Sequence, residues 1–171
     1  MKIKSNSIKD GYFKKEIGRL GAHVFKGVKP NYSFHLAWED LPSNTKSLAL
    51  IFIDYDAIPV CGFPWIHWTV ANIDPALKEL PENASANMKL LEGVTSWGSG
   101  IIPEDWKLNK EEATGFGGCA PPPGPEHLYT IQVYALDTVL TLNRGFYMNE
   151  LLHAMKKHVL DKAELEAFYK T

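Results

Sequence analysis

The sequence predicts a mostly β protein, built from two packed antiparallel sheets with helices at one edge, in the C-terminal part of the chain. Two observations support this fold class. Segments that alternate or are continuously apolar, as strands are, occupy the first two thirds of the 171 residues. Spacing typical of helices occurs only near the end. Since no repeat or low-complexity segment interrupts a chain of this length, residues 1–171 are predicted to form a single domain.

The first elements are short strands and turns, followed by one long buried strand. Between Met1 and Pro42 the chain is broken by turn-forming pairs such as Asp10-Gly11. From Ser47 to Asp54 it is almost continuously apolar and ends in a carboxylate. Such a run is typical of a strand that is buried on both faces. We therefore expect this strand to lie centrally in its sheet.

A second core strand is predicted from Phe63 to Ile73, which is rich in aromatic and β-branched residues. Strict alternation would place His67 on the same face as Trp65, Thr69 and Ala71. A more charged stretch follows at residues 101–114 and is predicted to be a surface excursion. Two roles remain open for this excursion, a lid over a pocket or part of an interface.

Residues 115–137 join a loop of glycines and prolines to an alternating strand. The glycines reach positive φ at little cost and the prolines fix φ, so the loop is expected to be bent and stiff. From His127 onward the residues alternate with the period of a strand, which places His127 and Tyr129 on one face. Two hydrogen-bonding side chains under a stiff loop predict a small polar pocket.

Two helices are predicted at the end of the chain. Helical spacing relates Asn149, Leu151, Leu152, Met155 and Val159. A second, short helix is predicted over residues 161–169, because an acidic residue at its start is followed three positions later by a glutamate, as in a capping box.

Composition and charge restrict the possible functions. The net charge of −2, without a basic run, argues against nucleic-acid binding through broad phosphate neutralisation. Two cysteines are too few for a disulfide framework, and the N-terminus lacks the apolar stretch of a secretory signal. No segment approaches the ~18 apolar residues of a membrane span. We therefore expect a cytoplasmic protein with no nucleic-acid partner and no integral membrane association.

Two motifs in this chain resemble those of the phosphatidylethanolamine-binding protein family, also called Raf kinase inhibitor proteins, and most of all its bacterial and archaeal branch. The first motif is residues 54–57, Asp-Tyr-Asp-Ala, with residues 65–68, Trp-Ile-His-Trp. The second is residues 115–134, in which His127-Leu128-Tyr129 replaces the family's His-Arg-Tyr. The first motif also departs from the family pattern, since Tyr55 replaces a proline. The resemblance covers nearly the whole chain and implies the β-sandwich of that family.

In the family, the matching positions line a small cavity that accepts phosphate-like or carboxylate anions. The resemblance therefore implies seven ligand-binding residues, namely Asp54, Asp56, His67, Pro121, Pro122, His127 and Tyr129. The histidines can donate N–H bonds to an anion, and protonation adds charge attraction. Asp54 fits such a site if it orients a histidine. We accordingly expect anion affinity to rise as the pH falls through the histidine range.

The function predicted first is a non-enzymatic binding protein that recognises a small anionic or phosphorylated ligand, a phospholipid headgroup or a phosphorylated partner. Members of the family regulate kinases or inhibit proteases, so a protein partner of either kind is a further expectation, although such activities do not transfer by fold. Bacterial relatives are often dimeric, and Trp97 and Trp106 offer apolar surface for a homodimer. We expect no cofactor and no catalytic residue.

Two alternatives remain open at this point. A hydrolase could use the histidines, Asp54 and Tyr129 for acid–base work, although no activated nucleophile is evident. A metal site from His67, His127, Asp54 and Glu126 is also conceivable, but closely spaced ligand pairs are missing. We expect no metal.

Overall fold

The computed structural model describes residues 1–170 and is mostly strand. Its twelve strands are β1 (Lys2–Lys4), β2 (Ile8–Lys9), β3 (Tyr12–Phe13), β4 (Val24–Phe25), β5 (Lys29–Pro30), β6 (Leu36–Glu39), β7 (Ser47–Asp54), β8 (Trp65–Ile73), β9 (Glu79–Leu80), β10 (Leu91–Glu92), β11 (His127–Leu136) and β12 (Val159–Tyr169). Its α-helices are α1 (Ile58–Cys61), α2 (Ala84–Asn87), α3 (Lys110–Ala113) and α4 (Met148–Met155). None of the helices in residues 1–170 has the length and apolar character that a membrane crossing requires.

Two sheets pack against each other, as predicted. The larger has seven strands in the order β10-β8-β7-β11-β12-β3-β2 and the smaller of this pair has the order β1-β6-β9, while β4 and β5 form a separate two-stranded sheet. Neighbouring strands are antiparallel except for β12 and β3, which run parallel. Strand β7 lies between β8 and β11, and all eight of its residues are buried. The prediction of a central strand at Ser47 to Asp54 is confirmed.

The hydrophobic core lies on both faces of the larger sheet, because the side chains of β7 alternate between them. Leu50 and Phe52 point to the face that the smaller sheet covers, where they join residues of β6 and β9 in one cluster. Ile51 and Ile53 point to the opposite face, which α4 covers with Leu151 and Met155. The apolar side of α4 thus explains the helical spacing seen in the sequence.

The prediction of a second C-terminal helix over residues 161–169 is wrong, because this segment belongs to strand β12. It pairs with β11 along its length, from His127 opposite Tyr169 to Leu136 opposite Val159. The side chains alternate between exposed and less exposed positions, which is the period of a strand. Asp161 caps no helix, since its carboxylate accepts hydrogen bonds from the N-terminal ammonium and from the Lys162 amide. Pairing with β11 therefore outweighs the local capping pattern.

Strand β8 contains a β-bulge at His67. Phe52 of β7 pairs with Trp68 and the next residue, Ile53, pairs with Ile66, so that His67 is an extra residue in β8. A bulge interrupts alternation and redirects side chains. Here the His67 ring turns towards Phe52, with ring centroids 5.3 Å apart. The predicted shared face with Ala71 is wrong, because Ala71 packs in the core on the opposite side of the sheet.

Candidate functional site

A cavity of about 620 Å³ lies where β7 ends and β8 and β11 begin. Antiparallel neighbours bring these ends together, so Asp54 at the end of β7 lies beside Trp65 of β8 and Tyr129 of β11. Asp54, His67 and His127 are among the few polar residues of a cavity lining that is largely apolar. The sheet register therefore assembles residues that are up to 73 positions apart in the sequence.

Asp54 and His127 form a buried, hydrogen-bonded pair in this lining. The His127 Nδ1–H group donates to Asp54 Oδ2 at 2.8 Å. The other carboxylate oxygen, Asp54 Oδ1, accepts from the Ala57 backbone N–H at 3.1 Å. With both oxygens engaged, the carboxylate holds one orientation of the imidazole and leaves its Nε2 atom available to a ligand.

His67 is buried and is held by two backbone hydrogen bonds to the glycine-rich loop. Its Nδ1 atom lies 2.8 Å from the Gly117 carbonyl oxygen, and the Gly117 N–H donates to the His67 carbonyl at 2.8 Å. Burial lowers the pKa of His67 to about 4, although the charge of Asp54 opposes this shift. The ring is therefore neutral at pH 7, donates from Nδ1 and keeps Nε2 as an acceptor. The expected rise of anion affinity at lower pH stays a prediction.

Close packing, and not positive φ, explains two of the loop glycines. A Cβ on Gly117 would lie 2.3 Å from the Trp97 ring, and one on Gly118 would lie 2.0 Å from the Ile17 carbonyl oxygen. Only Gly115 and Gly124 in this loop have positive φ. The absence of a side chain at Gly117 thus allows the loop carbonyl to reach His67.

The structure places two predicted site residues outside the cavity lining. Tyr129 is fully buried behind His67, with ring centroids 5.1 Å apart, and its hydroxyl has no hydrogen-bond partner in good geometry. Burial holds the pKa of Tyr129 well above its usual value, so the hydroxyl stays protonated. Asp56 is exposed and accepts from the Leu128 N–H at 2.8 Å, which fixes the start of β11.

The remaining five predicted residues line the cavity, namely Asp54, His67, Pro121, Pro122 and His127. Arg19 also lines it and was missed by the sequence analysis. Its Nη1 group donates to the Pro121 carbonyl oxygen at 2.5 Å. No other arginine or lysine of the described chain lines the cavity. Nothing in the sequence around Arg19 pointed to it, because its segment was predicted only as short strands and turns.

The apolar part of the cavity wall includes four aromatic rings, which the sequence did not predict to line a pocket. Phe63 and Trp65 stack with ring centroids 6.0 Å apart, and Trp97 meets Trp65 edge to face at 5.1 Å. The excursion at residues 101–114 contributes Ile101 and Trp106 together with Ile102 and Pro103. Four residues of the excursion therefore line the cavity, and the two roles left open for it stay predictions.

Nucleophilic side chains are scarce in the described lining of this cavity. Among residues 1–170, those lining it include no serine or threonine, and the Sγ of Cys61 lies 3.3 Å from the carbonyls of Ala57 and Phe63. Glu126, named above in the metal alternative, accepts from the Tyr12 hydroxyl at the exposed surface. Over the same residues, no group of three or more histidine, cysteine, aspartate or glutamate side chains is placed to hold a metal ion.

Comparison with known proteins gives a consistent result. The family model described as phosphatidylethanolamine-binding protein matches residues 4–170. The uncharacterised Bacillus subtilis protein YxkA is 46% identical over 141 residues, which is 80% of each chain. The Escherichia coli protein YbhB is 36% identical over 141 residues, 80% of this chain and 78% of its own.

Archaeal relatives and solved structures extend the comparison. A Methanothermobacter thermautotrophicus protein is 36% identical over 140 residues, 82% of this chain and 83% of its own. The structure of a phosphatidylethanolamine-binding protein homologue from Chlamydia trachomatis superposes with a TM-score of 0.76 at 28% identity, covering 99% of this chain and 96% of that one. Escherichia coli YbcL also gives a TM-score of 0.76, at 26% identity, covering 99% and 97% of the two chains.

Proposed function

Because the chain belongs to the phosphatidylethanolamine-binding protein family, we propose that it is a non-enzymatic binding protein whose cavity holds the anionic head of a small ligand. One observation carries this proposal. The buried pair of Asp54 and His127 leaves the His127 Nε2 atom as a positioned hydrogen-bonding group in the cavity lining. Such buried, oriented polar groups in an otherwise apolar cavity are typical of ligand sites.

A phosphoryl or carboxylate group fits the charges around this atom. When protonated, His127 donates from Nε2 to the anion while Nδ1–H donates to Asp54, so the imidazolium lies between two negative groups. Arg19 uses one guanidinium N–H for the Pro121 carbonyl and has others for a ligand. Charge-assisted hydrogen bonds of this kind contribute roughly 1.5–3 kcal/mol each.

The same headgroup chemistry occurs in a phosphorylated metabolite, a phospholipid headgroup and a phosphorylated side chain. The protein would engage a kinase or another protein partner by binding a phosphorylated side chain of that partner in this cavity. A homodimer stays a prediction, and part of the apolar surface on which it was based, at Trp106, faces the cavity.

The hydrolase alternative keeps one supporting observation. His127 oriented by Asp54 has the geometry of a general base with its positioning carboxylate. A panel of ester and phosphoester substrates tests this alternative directly. Turnover that is lost in His127→Gln would replace the binding proposal by an enzymatic one.

Titration calorimetry with inorganic phosphate and phosphoethanolamine tests the binding proposal. We expect His127→Gln to abolish measurable binding because the variant loses the oriented imidazole. His158→Gln is the matched control, since His158 Nδ1 also makes a 2.8 Å bond to a carboxylate, that of Asp137, away from the cavity. Unchanged affinity in a folded His127→Gln protein would refute the proposed site.

A further inference from the structure

The proton positions around the cavity define which headgroup fits. His67 donates its Nδ1–H to the Gly117 carbonyl, and this bond fixes the tautomer in which Nε2 carries a lone pair. Since His67 lines the cavity and Nδ1 is engaged, Nε2 is the atom that remains for a ligand. The ring therefore presents an acceptor, which requires a donor on the bound molecule.

Protonation of His67 would remove this requirement, but its surroundings oppose protonation. The ring is buried against the aromatic rings of Phe52, Trp97 and Tyr129. Of the ionisable groups that act on it, Asp54 favours the charged form and His127 disfavours it, while burial has the largest effect and favours the neutral ring. A neutral ring with an acceptor at Nε2 is thus the state of His67 that the structure favours.

We propose that the cavity selects a singly protonated phosphoryl group over a sulfuryl group of the same charge. A singly protonated phosphate monoester carries one O–H, which can donate to His67 Nε2, and unprotonated oxygens, which accept from Arg19 and from the His127 ring when it carries both protons. A sulfate monoester carries the same charge and a similar shape but no proton. Its oxygen would face the His67 lone pair and leave that buried acceptor without a donor. This inference rests on the proposed function and names the preferred class of head.

Phenyl phosphate and phenyl sulfate form the matched pair of probes. At pH 6, near the second pKa of phosphate monoesters, the singly protonated form is abundant. We expect calorimetry to show phenyl phosphate binding about 10- to 100-fold more tightly, which is the effect of one unsatisfied buried acceptor. His67→Gln, whose amide can donate, should bring the two affinities together by improving sulfate binding.

A second measurement keeps the inference testable if His67→Gln does not fold. Nitrogen-15 NMR of the histidine rings in the native protein should show His67 with a protonated Nδ1 and an unprotonated Nε2 at pH 6. A protonated Nε2, or phenyl sulfate binding within about threefold of phenyl phosphate, would overturn the selectivity and leave the proposed function intact. If neither probe binds and inorganic phosphate does not bind either, both the selectivity and the proposed function are overturned.

The volume of the cavity and the residues of its wall indicate, independently, what is attached to the anionic head of the ligand. A volume of about 620 Å³ is within the range of sites that hold drug-sized molecules and far exceeds a phosphate head. At its mouth, Ile101 and Trp106 line the cavity although 76% and 44% of their surfaces are exposed. Apolar side chains exposed around a cavity are typical of groups that a ligand covers.

We infer that the headgroup is attached to an aromatic group which packs against Phe63, Trp65 and Trp106. Aromatic rings gain from edge-to-face and offset contacts beyond the area they bury, and this wall already contains both arrangements. We expect phenyl phosphate to bind at least about tenfold more tightly than methyl phosphate. This inference also rests on the proposed function, since both probes share its head.

Trp106→Ala should remove most of that preference. Val139→Ala is the control, because Val139 is an exposed apolar residue that does not line the cavity. Equal affinities for the two esters in the native protein would overturn the inference. A preference that survives in Trp106→Ala would also overturn it, because the aromatic group would then lie elsewhere.

Discussion

The state of His67 is decided by packing around a single side chain. The bulge in β8 turns the ring into the aromatic core, and the Gly117 carbonyl accepts the hydrogen bond of its one N–H group. A buried imidazole with one backbone partner costs least when it is neutral. This state affects stability as well as ligand choice.

His67 predicts a loss of stability in mild acid. Its pKa of about 4 lies below the ordinary value of 6.5, so the unfolded chain binds more protons between these values and the free energy of unfolding falls as the pH drops. The full contribution of this one group is about 3 kcal/mol. Urea unfolding of the native protein and His67→Phe at pH 7 and pH 4 measures it. The native protein should lose about 3 kcal/mol more than the variant, and equal losses would contradict the prediction.

Gly117 predicts a second effect at the scale of one residue. Gly117→Ala should destabilise the protein by roughly 1–3 kcal/mol, because the new methyl group would overlap the Trp97 ring. Gly100→Ala is the control, since a Cβ there meets nothing within 4 Å. Thermal unfolding of both variants checks the prediction. A native-like melting temperature for Gly117→Ala would show that Trp97 moves freely.

At the scale of elements, the sequence predicted strands β7 and β11, which border the cavity, better than strand β12, which pairs with β11. Continuous apolar character identified β7 and alternation identified β11, because both patterns follow from burial. The prediction failed at β12, where a local capping pattern competed with pairing to β11, a partner that lies tens of residues away. The bulge at His67 was also invisible, since it depends on the register between β7 and β8.

A buried lysine is hydrogen-bonded to the C-terminal end of α3, and its burial predicts how the stability of the protein depends on pH. Lys29 Nζ donates to the Glu112 carbonyl at 2.6 Å, at the C-terminal end of this helix. Burial lowers the pKa of Lys29 from 10.5 to about 8, with Glu92 acting in the opposite direction. The unfolded chain therefore binds more protons between pH 8 and 10.5, and unfolding becomes harder as the pH rises.

Relative to Lys29→Met, the native protein should gain up to about 3 kcal/mol of stability across that pH range. The native protein is compared with the variant because burial of Cys119 raises the pKa of its thiol, which lowers the stability of both proteins as the pH rises. Denaturant unfolding at pH 8 and pH 10.5 provides the measurement. Lys26→Met removes an exposed lysine bonded to the Glu112 side chain and serves as control. A native curve parallel to that of Lys29→Met would show that Lys29 does not titrate in this range.

For the whole molecule, the sequence motifs identified most of the polar residues of the cavity lining but not its apolar wall. Asp54, His67 and His127 were predicted because the family resemblance fixes residue types at those positions. Arg19 and Trp106 were not, because each reaches the cavity from a segment without a recognisable pattern and only the complete fold brings them together. The structure therefore adds an arginine and an apolar wall with four aromatic rings to what the sequence predicted as a small polar pocket.

Because β7, β8 and β11 supply the cavity and also form the centre of the larger sheet, ligand binding should stabilise the whole molecule. A ligand that binds only the folded state at 100 times its Kd raises the free energy of unfolding by about 2.7 kcal/mol. For a chain of this size the melting temperature should rise by roughly 5–10 °C. Phenyl phosphate should produce this shift in the native protein and in His158→Gln, but not in His127→Gln. An equal shift in all three proteins would mean that the ligand stabilises the fold from a site other than this cavity.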